Sequence, residues 1–276
     1  MLLNIVVCIK QVPMVTELPW DEKTGSLRRD LSSGMVNPAC KRALEAALQI
    51  KEKHGAFISV LTMGPPAAEE VLREAFAMGA DRGILISDRM LAGSDTYATS
   101  FILAQAIQKE VSGYDLVLCG AYTSDSETAQ VGPQLAEELN LPAAAYAENL
   151  TFSGRTLRVR RLVDNFRETL EMELPALVTI SMENYEPRHT SFAGLDKAFQ
   201  NADLLFRNAA DLHITSSILD QHSSRTKVRK IFLRKSQKDN IIITGAAASA
   251  VDEFLDKFEG RIGAVIGKSI EAKKRG

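Results

Sequence analysis

The sequence predicts an α/β fold built on a doubly wound, mostly parallel sheet, with an antiparallel edge meander and an extended C-terminal arm and tail. Three observations predict it. Short runs rich in Val, Ile and Leu alternate with helical patterns up to about residue 145. After Pro142 turn signals cut the chain into closely spaced strand-like pieces, and beyond Glu186-Pro187-Arg188 regular alternation is lost. Buried parallel strands read as near-continuous apolar runs, and crossover helices between them leave ligands to bind at the carboxyl ends of the strands.

The apolar runs Leu3–Ile9, Phe57–Met63, Gly83–Ile86 and Leu116–Cys119 are the expected parallel strands. The clearest helix starts at Asn37-Pro38, a cap followed by proline at the first helical position, places Cys40, Ala43, Leu44, Ala47 and Leu48 at helical spacing, and stops at Gly55. A second helix runs from Pro66 to Met78 before Gly79, and a third begins near Asp95-Thr96 and continues through Ala98, Ile102, Ala106 and Ile107. Asn149–Phe152, Thr156–Val163 and Arg167–Leu174, turning at Ser153-Gly154 and Asp164-Asn165, read as the meander, and Pro175–Ile180 as one more buried strand. The region that follows is polar, as in Gln221–Lys230, with a last helical pattern near Ala246–Phe258. A segment so weakly patterned is expected to wrap a partner chain, the alternative being a poorly ordered terminus.

Composition narrows the function classes. With 276 residues, 45% hydrophobic and 25% charged, and a formal net charge of −2, the chain reads as globular and offers no electrostatic footprint for nucleic acid. Cys8, Cys40 and Cys119 are scattered, two of them inside apolar strand patterns, which fits buried thiols in a reducing, cytoplasmic compartment. The N-terminal apolar run lacks a basic leader and is too short to span a bilayer, so no membrane insertion is expected. The four histidines, His54, His189, His213 and His222, have no second ligand at metal spacing. GxSxG, Walker A and GxGxxG sequences are lacking, and no carboxylate pair stands in an apolar setting that would tune an acid and a base.

What remains is apparatus for holding phosphate. The strand Leu116–Cys119 ends at Gly120, crosses a loop of Ser, Asp and Thr, and enters a helical pattern through Thr128-Ala129-Gln130-Val131-Gly132-Pro133. The first N–H groups of a helix lack internal partners and the helix dipole favours an anion there. On spacing alone an ordinary capped strand-loop-helix turn fits equally.

Eight stretches taken together resemble the beta subunit of electron transfer flavoproteins: Cys8-Ile9-Lys10-Gln11-Val12-Pro13; Asn37-Pro38-Ala39-Cys40; Met63-Gly64-Pro65-Pro66; residues 75–82; Asp115-Leu116-Val117-Leu118; Thr128–Pro133; Leu174–Thr179; and Glu186-Pro187-Arg188. The resemblance implies a nucleotide-binding α/β domain of the adenine nucleotide alpha hydrolase type, here residues 1–184, a partner-recognition arm at 185–202, and a C-terminal extension at 203–276 that packs on an alpha subunit. It further implies a heterodimer with that FAD-carrying alpha subunit, passing electrons between acceptors and a flavin dehydrogenase such as an acyl-CoA dehydrogenase. In one branch of the family the beta subunit buries a structural AMP; in the electron-bifurcating branch a second FAD takes that place and exchanges electrons with NADH, so contact with NAD(H) is implied. Ser87-Asp88-Arg89 and the run from Ala92 to Ser100 are similar to the bifurcating type.

One departure stands out. Where bifurcating relatives carry an Arg-Gln pair and an Asp-Gly-Asp run, this chain has Ala121-Tyr122-Thr123-Ser124-Asp125-Ser126-Glu127. The loop therefore lacks a cation expected near the flavin, which bears on flavin potential more than on phosphate binding. Tyr122 either meets the flavin ring or is a loop residue packed on the sheet.

The resemblance assigns cofactor contacts to Cys8 and Met63, otherwise plain core residues, and to Asn37, otherwise a helix cap. Gly120 permits close approach of backbone, and Asp125 is expected to accept from a ribose hydroxyl. Thr128, Ala129, Gln130, Val131 and Gly132 are expected at the phosphates, with Asp95, Thr96 and Thr99 at a second helix mouth. Glu186, Pro187, Arg188 and Phe192 fall in the partner-recognition arm, with Phe192 as the apolar anchor; the alternative packs Phe192 on its own subunit. A reading of another class is a stand-alone adenine-nucleotide hydrolase or ligase on a similar fold, and a third is a regulatory nucleotide-binding module that self-associates through its tail.

Overall fold

The computed structural model describes residues 2–14, 20–21, 26–27, 34–164, 166–200, 202–226 and 240–266. Asn165 of the expected meander turn and residues 227–230 of the polar stretch lie outside them. Two units are distinguished, residues 1–231 and 232–276.

The first unit begins with β1 (Leu3–Cys8), followed by four short strands, β2 (Gln11–Pro13), β3 (Trp20–Asp21), β4 (Ser26–Leu27) and β5 (Gly34–Val36). Then come α1 (Pro38–His54), β6 (Ala56–Met63), α2 (Glu69–Met78), β7 (Arg82–Ile86), α3 (Thr96–Glu110), β8 (Leu116–Gly120) and α4 (Val131–Glu138). The rest of the unit is β9 (Ala143–Ser153), β10 (Thr156–Val163), β11 (Phe166–Glu173), β12 (Ala176–Ile180), α5 (Phe192–Gln200), β13 (Asp203–Arg207) and α6 (Ser216–Gln221). The second unit contains α7 (Ala247–Ile266).

A nine-stranded sheet runs in the order β11-β10-β9-β12-β8-β1-β6-β7-β13. All its pairings are parallel except β9 with β10 and β10 with β11. The expected doubly wound sheet with an antiparallel edge meander is therefore present. Alternation of side chains divides each central strand between two cores. Ile5, Val7, Ile58 and Val60 pack under α1 and α2, while Val6, Cys8, Leu61, Val117 and Cys119 pack under α3 and α4.

Two features of the sheet differ from the sequence reading. β9 begins at Ala143, earlier than the expected Asn149, because its first residues pair parallel with β12 and only later ones pair with β10. The change of partner falls at an irregularity beside Tyr146, which takes a left-handed φ of 60° and donates its N–H to Thr179 Oγ1 at 3.0 Å. The second difference is β13. Residues 203–207, assigned by the sequence to the C-terminal extension, form the ninth strand against β7, and Ala209, Leu212 and Ile214 continue into the α3 and α4 core. Five residues holding one three-residue apolar run between charged ends carry too short a pattern to show this on their own.

Candidate functional site

The winding of the sheet reverses at β1, with β6 and β7 to one side and β8 to the other. The carboxyl ends of β1 and β8 therefore border the crevice where open α/β sheets take ligands. Cys8 ends β1 beside its register partner Cys119, and Gly120 follows on β8. A Cβ on Gly120 would lie 2.6 Å from the carbonyl carbon of Ala39 and 2.7 Å from the nitrogen of Cys40, so only glycine lets β8 end against the start of α1.

Asn37 stands at the N-cap of α1 but its side chain accepts no capping bond from a backbone N–H of the helix, which corrects the capping expectation. Its side chain crosses to the loop after β8, where Nδ2 donates to the carbonyl of Tyr122 at 2.9 Å and Oδ1 accepts from the N–H of Ser124 at 2.9 Å. Lys10, just past β1, donates Nζ to both oxygens of Asp125 at 2.8 and 2.7 Å. The carboxylate expected at a ribose is thus already paired, and a loop without its own cation borrows one from the end of β1. The sequence contained Lys10 within a quoted stretch, but no local signal linked it to a residue 115 positions away.

Beyond Asp125 the chain passes Glu127 and Ala129 at φ of 49° and 55°, both left-handed, and enters α4 at Val131. The N–H groups of Thr128 and Ala129 have no acceptor among the described residues. Gly132 is buried, and a Cβ there would meet Thr179 Cγ2 at 2.4 Å, so this glycine seats the first turn of α4 on β12. The start of α3 lies alongside: Thr96 Oγ1 donates to Gln130 Oε1 at 2.9 Å. The structure thereby brings Thr96 and the expected Thr128–Gly132 segment onto one rim, above Cys8 and Gly120. Met63 sits half-buried at the end of β6, beside β1, preceded by Thr62, whose fully buried hydroxyl has no partner among the described residues.

Asp95 departs from its expected role. Its Oδ1 caps α3 by accepting from Ala98 N–H at 3.0 Å, and Oδ2 accepts from both the N–H and hydroxyl of Thr226 at 2.9 and 3.0 Å. Burial pushes its carboxyl up, but these hydrogen bonds outweigh that and hold it below the usual carboxylate range. Its N–H donates to Ser224 Oγ at 2.8 Å. Both groups are therefore used within the chain, leaving Thr96 and half-buried Thr99 as the polar side chains of that mouth among the residues expected there. Residues 222–226 form a strap that sequence reasoning missed. His222 stacks on Phe101 with ring centroids 3.8 Å apart, and Arg225 lies 5.5 Å over Tyr97.

The three thiols are buried and free. Interaction with Cys8 together with burial pushes the Cys119 thiol well up, and burial raises that of Cys40. Thiols raised in this way, Cys40 and Cys119, stay protonated and make poor nucleophiles.

The expected recognition arm is fixed at its base. Arg188 donates Nε to Glu45 Oε2 at 2.8 Å and Nη2 to Glu45 Oε1 at 3.0 Å, and Nη1 reaches Glu52, two turns further along α1, at 2.5 Å. Its side chain is thus used inside the subunit. Burial pushes the Glu45 carboxyl up, yet the hydrogen bonds of Arg188 and Gln49 outweigh it and hold the group below the usual carboxylate range. Farther along, α5 lies on α2 so closely that a Cβ on Gly194 would collide with the carbonyl oxygen of Ala77. Phe192, at the first position of α5, is 93% exposed, so it does not pack on its own subunit; Glu186 is exposed and Pro187 half-buried.

Residues 26–202 match the family model of the electron transfer flavoprotein domain. The chain is 39% identical over 259 residues to the electron transfer flavoprotein subunit beta of Thermoanaerobacterium thermosaccharolyticum, covering 94% of this chain and 99% of the relative. It is 38% identical over 250 residues to subunit CarD of the caffeyl-CoA reductase-Etf complex of Acetobacterium woodii, covering 90% and 95%. It is also 44% identical over 264 residues to protein FixA of Sinorhizobium fredii, covering 92% of each chain. A doubly wound sheet with a crevice of this make and a match of this extent define an electron transfer flavoprotein chain. The chain belongs to the beta-subunit family of these proteins. No helix among the described residues is long and apolar enough to cross a membrane.

Proposed function

We propose that this beta subunit holds a FAD at the crevice above β1 and β8 and works with an alpha subunit in electron transfer of the bifurcating type, in the cytoplasm. The observation that carries the FAD reading is the Thr96–Gln130 hydrogen bond, which joins two helix starts into one rim. A single nucleotide phosphate needs one helix mouth; a pyrophosphate with a polar ribitol chain uses two. The residues present fit such a group. N–H groups at Thr128 and Ala129, without an acceptor among the described residues, receive phosphate oxygens, Gly120 and Gly132 let β8 and α4 close tightly on α1 and β12 beside the crevice, and Lys10 offsets the charge of Asp125. A flavin held there supplies the capacity to take up and release electrons; the chain supplies its position and electrostatic surroundings.

Partners follow from uncovered apolar surface. On α7, Val251, Phe254 and Leu255 are exposed at helical spacing, as expected for a helix that covers its apolar face with another chain. We assign that partner as the alpha subunit, residues 185–202 as the arm that docks a flavin dehydrogenase of the acyl-CoA dehydrogenase type, and NAD(H) as an electron donor. The name of the Acetobacterium woodii relative, which places it in a CoA-linked reductase complex, supports this choice.

The test is extraction of cofactors from the co-expressed heterodimer. Two flavins per heterodimer are expected. One flavin with one AMP moves the chain to the branch with a structural nucleotide, and ATP turnover by this chain alone would overturn the reading in favour of a hydrolase or ligase.

A further inference from the structure

We infer that Asn37 is a positioning residue of the site, its side-chain amide holding the loop after β8 in the shape that presents the Thr128–Gly132 rim to a nucleotide. The inference rests on the nucleotide reading above and concerns a residue that does not itself reach the rim. Asn37 is 1% exposed, and its backbone is already fixed by donation of its N–H to the carbonyl of Lys10 at 2.9 Å. Its side chain then makes the two bonds that a neighbouring strand would make to the loop: a donor to the carbonyl of residue 122 and an acceptor for the N–H of residue 124, both at 2.9 Å. A third contact, from Nδ2 to Cys40 Sγ at 3.3 Å, fixes which way the amide faces.

This pattern separates positioning from capping. An N-cap is served equally by Ser, Thr, Asp or Asn, because it needs one acceptor. The bridge at Asn37 needs a donor and an acceptor on one carbon, at the reach of a single methylene, which asparagine offers at every pH and aspartate only when protonated. The loop also needs holding. Glu127 and Ala129 adopt left-handed backbone that non-glycine residues keep only where their surroundings fix it. Thr123 and Ser126 share a hydroxyl bond at 2.8 Å within the loop, and the Lys10–Asp125 pair ties its middle to the end of β1. Asn37 ties its first turn, directly beyond Gly120.

The test compares wild type, Asn37→Ala and Asn37→Asp in the intact heterodimer. Nucleotide affinity is read from pH 5.5 to 8.5, and hydrogen exchange is read at the Ser124 amide. The alanine variant is expected to bind at least tenfold more weakly at every pH and to lose protection at Ser124. The aspartate variant is the discriminating one. Ionised, it has no donor for the carbonyl of Tyr122 and repels it; protonated, its O–H donates there while its carbonyl accepts from Ser124. Burial favours the protonated form, so its affinity is expected to recover toward wild type as pH falls. The ionisable groups facing this amide are Cys40 on α1, whose thiol burial pushes up, and across the loop Tyr122 and the Lys10–Asp125 pair. All are present in every variant, so the wild-type profile subtracts them. An aspartate variant with the same affinity as wild type at all pH values, or one equally weak at all of them, overturns the inference, as does an alanine variant that binds normally. Wild-type heterodimer without nucleotide at this site refutes the site itself, while exchange at Ser124 still reports on the clamp.

Discussion

The hydroxyl of Thr96 donates to the side-chain oxygen of Gln130 across the crevice mouth, at 2.9 Å, linking the first turn of α3 to the residue preceding α4. Replacing Thr96 by valine keeps the shape and deletes the bond. Because the bond is exposed, the cost to stability is expected at about 0.5–1.5 kcal/mol or less. Retention through gel filtration of the nucleotide proposed to bind there is expected to fall clearly. Full retention with an unchanged denaturation midpoint would show that the two mouths act independently.

Gly120→Ala is expected to be far more damaging than an alanine at most loop positions. The added methyl meets main-chain atoms of Ala39 and Cys40, which cannot turn aside as a side chain can. Overpacking of this kind costs about 1–3 kcal/mol, and here it also parts β8 from α1. Urea denaturation with cofactor content measured in parallel checks both effects.

Thr62→Val should raise stability. The valine methyl replaces a hydroxyl that is fully buried without a partner among the described residues. A buried unsatisfied polar group costs about 1–3 kcal/mol, so a gain of up to that size is expected as a higher midpoint in urea. A loss would mean that the hydroxyl does find a partner in the assembled protein.

The Arg188–Glu45 pair makes the arm sensitive to acid. Glu45 is held below its ordinary range in the folded chain, so its contribution to stability is complete above the unfolded value of about 4.3 and is lost as pH falls through the folded value. Glu45→Gln should therefore flatten the acid limb of the stability profile. Arg188→Ala, which leaves a carboxylate that is 4% exposed with only Gln49 and the N–H of residue 188 to bond, should cost at most about 3–5 kcal/mol at neutral pH.

Phe192→Ala should leave the fold untouched, since the side chain is 93% exposed. An anchor of this kind contributes about 2 kcal/mol or more to a transient interface, roughly a 30-fold effect. The measurement is the rate of electron delivery from the proposed partner dehydrogenase beside the denaturation midpoint. A normal rate would place the docking anchor elsewhere.

The parallel strands and the first three helices were legible because each carries its own signal: an apolar run, a proline at Pro38, a glycine stop at Gly55 or Gly79. The residues expected around the crevice could be named from the sequence, but their contacts could not. Asn37 has the identity of a cap and the bonds of a loop clamp, and nothing local to it distinguishes the two. Lys10 and Asp125, like Asp95 and Thr226, meet only through the fold, at separations of 115 and 131 residues. β13 escaped notice because its pattern is completed by β7, not by itself.

Arg188 and Gly194 together give the arm a fixed base while Phe192 stands clear of the subunit. If this arm docks a dehydrogenase, as proposed above, the conformational entropy of the segment is given up when the chain folds and not on docking. An encounter then needs no ordering step, which suits a carrier that must engage and release its partners quickly: the interface can stay small and dissociate fast without becoming unspecific.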